Sequence, residues 1–565
     1  MNPLHCNTLT EAMLAAPPDR PFITMWHDED EVDVVTFGEF VQMARCQAAD
    51  FVAHGVTPGD RVILVMPQGI RVMVSFAAAM LVGAVPAIMA YPNFKIEPKK
   101  YRFGLSGVSK NLKARLIVVD DQFPDDLLSY VECSGDAKIV RNVVMQAGSS
   151  DWELPELPSD PDRIAFIQHS AGTTGLQKGV ALSHAAVLAQ LEHLSAAIRL
   201  TSEDRIYSWL PLYHDMGLIA CFMLPLVYHL PVVMQSPTDW VMRPGSMLSL
   251  ITQYRCTLSW IPNFTLQFLA RRVSVKERPN FDLSSVRMLI NCSEPVREQS
   301  IKEFLTAFAA NGARIEMLQS SYALAENVFA VTQSGLDPSG LPGRVWVSAR
   351  RLTDAHIAEP VEAGSNESIC LVSSGRCIAG NRARIVSPEG VELPEGHVGE
   401  VAIQSDSLFE GYYNRPDLTA KAKKEGWYWS GDLGFCLDEE LYVIGRKSDL
   451  IIVAGKNLYP QDIEEIVCSH PRIHDGRAVA FGLFNPDLGT DEIVVVAEVE
   501  HESDIQHTAS IEDAVRNAVV AELGVAVGAV YLRPPKWIVK STAGKPARST
   551  TREKLIAEQP ELRGA

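Results

Sequence analysis

The sequence predicts an α/β (α+β) fold of layered sheets and helices, with a second, smaller α/β domain at the C-terminal end. A chain of 565 residues is too long for one ordinary hydrophobic core, so two or more domains are expected. Strand and helix patterns alternate through the N-terminal part, and their character changes near residue 446. The remaining stretch is long enough for one small domain. We therefore predict a large domain over 1–446 and a small one over 447–565.

The first elements follow from short apolar runs. "RVILVMP" (61–67) is typical of a buried strand, and a longer uncharged stretch (72–91) comes soon after it. That stretch is near the length of a membrane span, about 20 residues. Gly83 and Pro86 interrupt it, which favours a buried helix followed by a short buried strand. No transmembrane segment is therefore predicted.

The next segments lead to a glycine-rich run. A polar segment (93–114), the strand "ARLIVVD" (114–120) and a proline-rich loop (149–163) come first. "IAFIQH" (164–169) is typical of another strand. It enters "HSAGTTGLQKGVALSH" (169–184), whose glycines and threonines predict a loop between two strands.

This loop has the composition of a phosphate-binding loop. Backbone N–H groups of a glycine-rich loop can converge on phosphate oxygens, and Lys178 adds a positive charge. The order Lys178-Gly179 is not that of a Walker A loop, and the GxGxxG pattern of a dinucleotide site is absent. Ser183 is a candidate N-cap for a helix that starts near His184. A flexible surface loop is the alternative interpretation.

Composition excludes several classes of function. The formal net charge of -18 argues against a broad nucleic-acid surface, because phosphate backbones are held by Lys and Arg. The ten cysteines are scattered without a CxxC pair, which argues against a zinc ribbon and favours reduced, buried thiols. The N-terminal residues lack the charged and apolar regions of a signal peptide, so a cytoplasmic protein is expected.

Four further motifs contain chemistry-bearing residues. Each has an ordinary alternative when taken alone: a core tyrosine, a turn aspartate, a solvated carboxylate or a tail lysine. The motifs are "SYALAE" (321–326), "WYWSGDLG" (427–434), "GRKSD" (445–449) and "KSTAGKPAR" (540–548).

Together and in this order, the motifs resemble the adenylate-forming superfamily of acyl- and aryl-CoA synthetases, luciferases and nonribosomal adenylation domains. Within it the chain looks most like the fatty acyl-AMP ligases. That subfamily is indicated by "WLPLYHDMGLI" (209–219), "WIPNFTLQFL" (260–269), "NCSEPV" (291–296) and "VAGKNLYPQDIE" (453–464). A long segment at about 335–368 matches an insertion thought to restrain the small, mobile domain and to disfavour release as a CoA thioester. A surface loop without consequence is the alternative.

The resemblance implies ATP and Mg²⁺ as cofactors and assigns roles to individual residues. The triphosphate tail would be held by Thr173, Thr174, Gly175 and Lys178. Glu326, with Thr174, would hold Mg²⁺, since a hard cation takes oxygen ligands. Tyr322 would stack on adenine, Asp432 would accept hydrogen bonds from the ribose with Arg446 beside it, and Ser293 and Glu294 would lie at the nucleotide. Lys545 would bridge the carboxylate and the α-phosphate in the transition state.

The acyl chain needs an apolar tunnel, for which core packing is the competing interpretation. Its candidate wall residues are His214, also a candidate catalytic residue, Met216, Trp240, Asn263 and Phe264. Three features depart from the family pattern: Gln177 replaces a usual proline, and Ser448 occupies the hinge position where Asp or Lys is usual. The last motif reads Lys-Ser-Thr-Ala-Gly-Lys where Lys-Thr-x-x-Gly-Lys is usual, with Lys545 still in register.

The resemblance predicts an enzyme that adenylates a fatty acid and passes it to the phosphopantetheine thiol of an acyl carrier protein. Cations between Tyr531 and Lys554 form a candidate docking patch for such acidic carriers. An acyl-CoA synthetase is the alternative, because it shares every adenylation residue. A nucleotide-binding regulator that has lost catalysis is a remote alternative, and the intact Lys545, Glu326 and Asp432 argue against it.

Overall fold

The computed structural model describes most of the chain in a mixed α/β architecture. The described residues are 6–28, 31–92, 98–131, 137–141, 153, 155–170, 177–336, 340–365, 368–453, 456–485, 490–540, 546–560 and 562. The α-helices are α1 (Leu9–Leu14), α2 (Phe37–Ala53), α3 (Ile70–Val82), α4 (Pro98–Leu112), α5 (Asp125–Leu128), α6 (His184–Ala197), α7 (Leu224–Tyr228), α8 (Pro237–Met242), α9 (Gly245–Tyr254), α10 (Phe264–Arg272), α11 (Glu298–Phe308), α12 (Ala349–Ala355), α13 (Pro416–Ala422), α14 (Pro460–Cys468), α15 (Thr508–Leu523) and α16 (Arg548–Glu558).

The strands are short and form several sheets. They are β1 (Pro21–Trp26), β2 (Val32–Thr36), β3 (Arg61–Val65), β4 (Val85–Ile88), β5 (Leu116–Val119), β6 (Lys138–Arg141), β7 (Ile164–Ser170), β8 (Lys178–Ser183), β9 (Ile206–Ser208), β10 (Val232–Gln235), β11 (Leu258–Ile261), β12 (Met288–Cys292), β13 (Leu318–Ser321), β14 (Thr332–Gln333), β15 (Arg344–Ser348), β16 (Ser368–Val372), β17 (Arg376–Cys377), β18 (Asn381–Val386), β19 (Gly399–Ser405), β20 (Gly411–Tyr412), β21 (Lys423–Lys424), β22 (Trp427–Leu437), β23 (Glu440–Arg446), β24 (Ile451–Val453), β25 (Lys456–Leu458), β26 (Ile473–Asn485), β27 (Thr490–Val499) and β28 (Val527–Arg533).

A seven-stranded sheet organises the large part of the molecule. Its strand order is β13-β12-β11-β9-β10-β1-β2, and all strands are parallel except the edge strand β2. Parallel strands need helical crossovers, which cover both faces, and the strands are correspondingly apolar. The carboxyl ends of six neighbouring strands therefore lie along one edge, where ligands bind in open parallel sheets.

A second parallel sheet has the order β4-β3-β5-β6. The apolar stretch that has the length of a membrane span folds as the predicted helix and strand. Helix α3 ends at Gly83, which adopts a left-handed φ of 79°, and β4 follows directly. In the described part of the chain, no helix combines the length and apolarity that crossing a bilayer needs. The polar segment that precedes β5 contains a helix, α4, that was not predicted from the sequence.

The glycine-rich run joins two antiparallel strands, as predicted. Strands β7 and β8 pair with each other, and β20 adds a third strand. Ser183 caps helix α6, its hydroxyl accepting a hydrogen bond from the N–H of Ala186. A five-stranded antiparallel sheet is built from β18, β19, β21, β22 and β23.

The segment that resembles an insertion forms a hairpin and a helix. Strands β15 and β16 pair antiparallel from Arg344 opposite Val372 to Ser348 opposite Ser368, with α12 between them. Val347 and Leu352 pack in one apolar cluster with residues of β22 and β23 and with Tyr459, which precedes α14. The segment therefore contacts both the five-stranded sheet and the start of the C-terminal region.

The C-terminal region has a core of its own. The sheet β26-β27-β28 carries α14 and α15 on one face and α16 on the other. A hydrogen-bonded ion pair links it to the rest of the chain: Arg297, before α11, lies 2.9 Å from Glu465 and 3.3 Å from Asp462 of α14. We refer to residues 451–562 as the C-terminal lobe.

Candidate active site

Those predicted site residues that the structure describes lie along the carboxyl edge of the seven-stranded sheet and on the adjoining antiparallel sheets. Tyr322 follows β13, Ser293 and Glu294 follow β12, and Asn263 and Phe264 follow β11. The sheet order puts these three strands side by side. The structure thus brings together residues separated by up to sixty positions in the chain.

Tyr322, Asp432 and Arg446 form one hydrogen-bonded group. The Tyr322 hydroxyl donates to Asp432 Oδ2 at 2.5 Å, and Arg446 Nε lies 3.1 Å from Asp432 Oδ1. Asp432 faces Arg446 across the β22–β23 ladder. The sequence indicated a glycine turn after a strand at Asp432. Instead Asp432 lies within β22, next to an irregularity of the ladder where Gly431 has a φ of 76°.

Burial controls the ionisation of this group. It raises the pKa of the Asp432 carboxyl, an effect that Arg446 and Tyr322 partly offset. The nearby Asp432 carboxylate raises the pKa of Arg446, which therefore remains a cation. Burial, followed by Asp432, raises the pKa of Tyr322 well above its usual value. Tyr322 is thus a hydroxyl donor at neutral pH, fixed against the carboxylate.

A second group combines Glu326, Tyr412 and Lys178. The Tyr412 hydroxyl donates to Glu326 Oε1 at 2.7 Å, and Lys178 Nζ lies 4.7 Å from the centre of the Tyr412 ring. Lys178 lies on β8 and Tyr412 lies on β20. These two strands are neighbours, because Tyr412 pairs with Val180 in the ladder between them. Tyr412 is also hydrogen-bonded to Tyr428, which connects this group to β22. A cation, a carboxylate and an aromatic ring therefore meet where the glycine-rich run re-enters its second strand.

Two strained backbone positions adjoin these groups. Val328, two residues after Glu326, has φ 58° and ψ −54°, and the N–H of Phe329 donates to the carbonyl of Asn327 at 2.5 Å. This is a γ-turn of the rare, strained type, at a β-branched residue that disfavours positive φ. Ser293 has φ 71° directly after β12. Such strain concentrates at functional sites.

The candidate acyl-pocket residues have different environments. His214 Nδ1 lies 2.6 Å from Asp215 Oδ1, next to a π-helix (Met216–Met223) that begins at the buried Met216. Asn263 is a structural connector: it donates to Ser300 Oγ and accepts from the Asn291 side chain, both at 2.9 Å. Its amide is therefore committed to protein partners.

Trp240 and Phe264 belong to an aromatic cluster. Trp240 stacks on Trp209 with ring centroids 3.8 Å apart and an interplanar angle of 9°. Phe264 lies 6.0 Å from each of these two rings. Glu294 accepts a hydrogen bond from the backbone N–H of Phe264 at 3.2 Å, which links this cluster to the end of β12.

Four predicted residues lie outside the described residues: Thr173, Thr174, Gly175 and Lys545. Their chain neighbours are described. Lys178 has the position given above, and Lys540 pairs with Pro546 in an isolated bridge on either side of the segment with Lys545. Arg548, at the start of α16, donates to both oxygens of Glu464 at 2.7 and 2.6 Å and to Asp449 at 3.0 Å.

The donor set at Glu326 fits Mg²⁺ bound mainly through a substrate. The described residues contain no cluster of three or more His, Cys, Asp or Glu side chains suited to a metal. Mg²⁺ typically binds one or two carboxylates together with phosphates and waters, so a single buried carboxylate beside a phosphate site suffices. The hydrogen bond from Tyr412 occupies one oxygen of Glu326.

Several residues that contact the predicted site residues or their neighbours were not identified by the sequence analysis. Tyr412 lies 86 positions from Glu326, and Glu464 lies 84 positions from Arg548, so no local spacing could reveal either contact. Lys447, beside the hinge position, pairs with the buried Glu400 at 3.0 Å, and Glu400 also accepts from the N–H of Gly431. Trp209 was part of a quoted motif but was given no role.

Comparison with known proteins identifies relatives along the whole chain. The model of the AMP-binding enzyme family matches residues 10–413. The chain is 32% identical to the medium-chain-fatty-acid–[acyl-carrier-protein] ligase JamA of Moorena producens, an alignment that covers 94% of this chain and 91% of that protein. It is 28% identical to the long-chain-fatty-acid–AMP ligase FadD26 of Mycobacterium marinum, with 96% and 95% covered.

Solved structures give the same result. A structure from a study of fatty acyl-adenylate ligases of E. coli and L. pneumophila superposes with a TM-score of 0.90, at 27% identity and 99% coverage of both chains. The L. pneumophila fatty acyl-adenylate ligase with acyl adenylate and pyrophosphate gives 0.74, at 28% identity and coverage of 98% and 97%. The predicted fold class and resemblance are confirmed, and the chain belongs to the AMP-binding enzyme family, with fatty acyl-AMP ligases among its relatives.

Proposed function

We propose that this protein is an ATP-dependent fatty acyl-AMP ligase that transfers its acyl group to the phosphopantetheine thiol of an acyl carrier protein. The observation that carries the proposal is the convergence of the Tyr322–Asp432–Arg446 and Lys178–Tyr412–Glu326 groups at one sheet edge. It is supported by the length over which the chain resembles ligases of this kind.

In the first step, a carboxylate oxygen of the fatty acid attacks the α-phosphorus of ATP. The new C(=O)O–P bond forms as the bond to the bridging oxygen breaks, and pyrophosphate leaves with that electron pair. Both reactants are anions, so cations and oriented donors must offset their repulsion. Lys178 and the glycine-rich loop would hold the triphosphate, and Lys545 would bridge the two reacting groups.

The nucleoside would be held by the first group. Asp432 would accept hydrogen bonds from the ribose hydroxyls, with its orientation set by Tyr322 and Arg446. The Tyr322 ring would stack on adenine, and Ser293 and Glu294 would line the site from β12. Mg²⁺ held at Glu326 would supply further charge neutralisation for the phosphates.

In the second step, the carrier thiol attacks the acyl carbonyl of the adenylate and AMP leaves. The domain boundary at 446/447, with Ser448 as pivot, is part of this proposal. Lys447 is paired to Glu400 of the large part, whereas Asp449 is paired to Arg548 of the C-terminal lobe. The residues on either side of Ser448 are thus anchored to opposite parts of the molecule, as a pivot requires.

The docking patch for an acidic carrier needs one revision. Arg548 is engaged by Glu464 and Asp449, so it is not available to a partner. Lys536 and Arg552 are exposed and are the cations we assign to the patch. No cysteine in the described part of the chain forms a disulfide, which supports the proposed cytoplasmic location.

Pyrophosphate release across a panel of carboxylic acids tests the first step, with acyl carrier protein and CoA compared as acceptors for the second. We expect acid-dependent release, loss of about 10² to 10³ in rate for Lys545→Ala, and preference for the carrier. Release without acid, or none with any acid, would contradict an adenylating enzyme. Equal or better use of CoA would instead indicate an acyl-CoA synthetase.

A further inference from the structure

One short segment, 409–412, holds Glu326 by both its main chain and its side chain. The N–H of Phe409 donates to the main-chain carbonyl of Glu326 at 2.9 Å, and the Tyr412 hydroxyl donates to the Oε1 atom of the same residue at 2.7 Å. The segment ends in β20, which pairs with β8. The Glu326 carboxylate is therefore fixed relative to the strand that follows the glycine-rich loop.

A second tyrosine determines the direction of the Tyr412 hydrogen bond. A tyrosine hydroxyl has one hydrogen, which Tyr412 donates to Glu326, so in its hydrogen bond with Tyr428 it must be the acceptor. Tyr412 and Tyr428 are each 5% exposed. Both rings pack edge-on against the buried Phe409 ring, with centroids 4.9 and 5.5 Å away. The Tyr412 hydroxyl therefore has little freedom to turn away from the carboxylate.

The two carboxylate oxygens of Glu326 are consequently unequal. Oε1 accepts the hydrogen of Tyr412, whereas Oε2 accepts no hydrogen bond from the residues that the structure describes. A hydrogen bond to a charged oxygen is roughly twice as strong as one between neutral groups, and it draws charge from that oxygen. Oε2 is therefore the stronger metal ligand, and the bond to Oε1 opposes the rotation by which a cation could bind both oxygens at once.

Magnesium and calcium differ in what they require of a carboxylate. Mg²⁺ needs a near-ideal octahedron with oxygens at about 2.0–2.1 Å, and it usually binds one or two carboxylates together with phosphates and waters. Ca²⁺ takes about six to eight oxygens at about 2.3–2.6 Å and can use both oxygens of one carboxylate. A carboxylate that presents one oxygen therefore suits Mg²⁺ and denies Ca²⁺ a ligand.

We propose that Tyr412 is a positioning residue that makes Glu326 a one-oxygen ligand and thereby favours MgATP over CaATP. The inference rests on the part of the proposed function that places MgATP at Glu326. In this role Tyr412 acts through the carboxylate and contacts neither the metal nor the nucleotide. Its ring also lies under the Lys178 ammonium, at 4.7 Å, so one side chain supports both the phosphate-binding cation and the metal-binding carboxylate.

The test is calorimetric binding of α,β-methylene-ATP, which the first reaction step cannot cleave, with saturating Mg²⁺, with saturating Ca²⁺ and with a chelator. In Tyr412→Phe the carboxylate loses its donor and can turn. Affinity with Mg²⁺ should fall about tenfold, the typical effect of losing a hydrogen bond to a charged group. Affinity with Ca²⁺ should be equal or higher, so the preference for Mg²⁺ should fall about fivefold or more. Affinity with the chelator should match wild type.

Tyr228→Phe is the matched control. It also removes a tyrosine hydroxyl that makes a hydrogen bond of 2.7 Å, here with Ser195 of α6, outside both groups of the candidate site, so the metal preference should equal that of wild type. If Tyr412→Phe does not fold, Tyr428→Phe replaces it and should lower the preference about two- to threefold, because Tyr412 loses the donor that orients it. An unchanged preference in the folded variant would overturn the inference. So would an equal loss of affinity with both metals, which a purely structural role would cause.

Failure of the proposed function has a different signature. These measurements contain no acid, so they report nucleotide binding whether or not a fatty acid is adenylated. If Tyr412→Phe lowers the preference for Mg²⁺ but no acid supports pyrophosphate release, the proposed reaction fails and the positioning role stands. Acid-dependent release with an unshifted preference has the opposite meaning. Absence of nucleotide binding, or equal wild-type affinity with Mg²⁺ and Ca²⁺, would overturn the positioning role.

Discussion

Asp432 is buried and makes two polar contacts with side chains from different elements. Asp432→Asn keeps the shape but removes the charge that Arg446 and Tyr322 face. A hydrogen bond to a charged group contributes about 1.5–3 kcal/mol, and exposure of half of the Arg446 side chain lowers the loss. We expect ATP affinity to fall roughly tenfold or more, measured as Kd by calorimetry.

Asp417→Asn is the matched control for Asp432→Asn. Asp417 also pairs with an arginine, Arg415 at 2.8 Å, but both side chains are substantially exposed. Exposed pairs contribute little to stability, about 0–1 kcal/mol. ATP affinity should therefore be unchanged in this variant. An equal ATP Kd in the two variants would mean that Asp432 does not contact the nucleotide.

His184 makes the stability depend on pH. Burial, aided by Arg163, lowers its pKa from 6.5 to about 4, and its Nδ1 accepts a hydrogen bond from the N–H of Leu9. Below pH 6.5 the unfolded chain takes up a proton at His184 and the folded chain does not. The contribution of a neutral His184 to the free energy of unfolding is therefore complete above pH 6.5. It is lost progressively as the pH falls toward 4.

Between pH 7 and pH 4.5 this group should remove about 2 kcal/mol from the free energy of unfolding. His184→Gln removes the titrating group. The free energy of unfolding of this variant should therefore decrease between these pH values by about 2 kcal/mol less than that of wild type. The exposed His507→Gln is the control and should match wild type. Denaturant unfolding at both pH values gives the comparison, and equal losses in all three proteins would contradict the assignment.

Single residues also show what the sequence could reveal about the site. Tyr322, Glu326 and Asp432 were predicted because each lies in a recognisable short motif. The structure places each of them in one of the two hydrogen-bonded groups, and their roles stay predictions. Tyr412 was missed because it acts through a contact with Glu326 that spans 86 positions. Asn263 was predicted as a pocket wall, but its amide holds β11 to β12 and α11, a use that only the three-dimensional packing reveals.

At the level of elements, the sequence predicted the ends of helices correctly where a single residue type determines the backbone conformation. Gly83 ends α3 and Ser183 begins α6, as their positions in the sequence predicted. Helix α4 was missed because its segment is polar. The glycine turn expected at Asp432 was wrong, since pairing of β22 with β19 and β23 extends the strand through it.

Helix α16 leads to a prediction about the catalytic lysine. Its first residue, Arg548, follows Lys545 by three positions and binds Glu464 and Asp449. Arg548→Ala leaves two partly buried carboxylates without a cation, which should destabilise the C-terminal lobe by about 3 kcal/mol. We expect a loss of at least tenfold in kcat for pyrophosphate release, because the end of the lysine segment loses its anchor.

Two variants of helix α16 distinguish loss of the Arg548 anchor from loss of positive charge on the helix. Arg552→Ala removes an exposed cation one turn further along α16 and should leave kcat and the melting temperature near those of wild type. Arg548→Lys keeps the charge but cannot span two carboxylates with a planar fork, so it should rescue kcat only in part. Equal kcat values for Arg548→Ala and Arg552→Ala would rule out the anchoring role.

For the molecule as a whole, the position of the inserted segment is the feature with the widest consequence. It packs against β22 and β23 and against Tyr459, close to the proposed pivot at Ser448. A rotation of the C-terminal lobe about that pivot would have to break this apolar contact. The resemblance to fatty acyl-AMP ligases implied that a segment here restrains the small domain, with an inert surface loop as the alternative, and the observed packing offers a physical means for such a restraint.

The hairpin register allows a clean test of this restraint. Ser348 and Ser368 face each other at the end of the β15–β16 ladder, so residues 349–367 can be replaced by Asn-Gly as a two-residue turn. The replacement removes α12, with Leu352, and keeps the ladder. Rotation should become easier, and the ratio of acyl-CoA to acyl-carrier product should rise, with adenylation nearly unchanged.

The control is Arg350→Ala, which alters an exposed side chain of α12 and leaves the apolar contact intact. Its product ratio should equal that of wild type. Products are quantified by mass spectrometry with CoA and carrier protein present together, so that both acceptors compete for one pool of acyl-AMP. If the shortened protein folds, adenylates the acid and gives the wild-type ratio, the contact with Tyr459 does not limit the rotation, and discrimination against CoA must lie in the thiol channel itself.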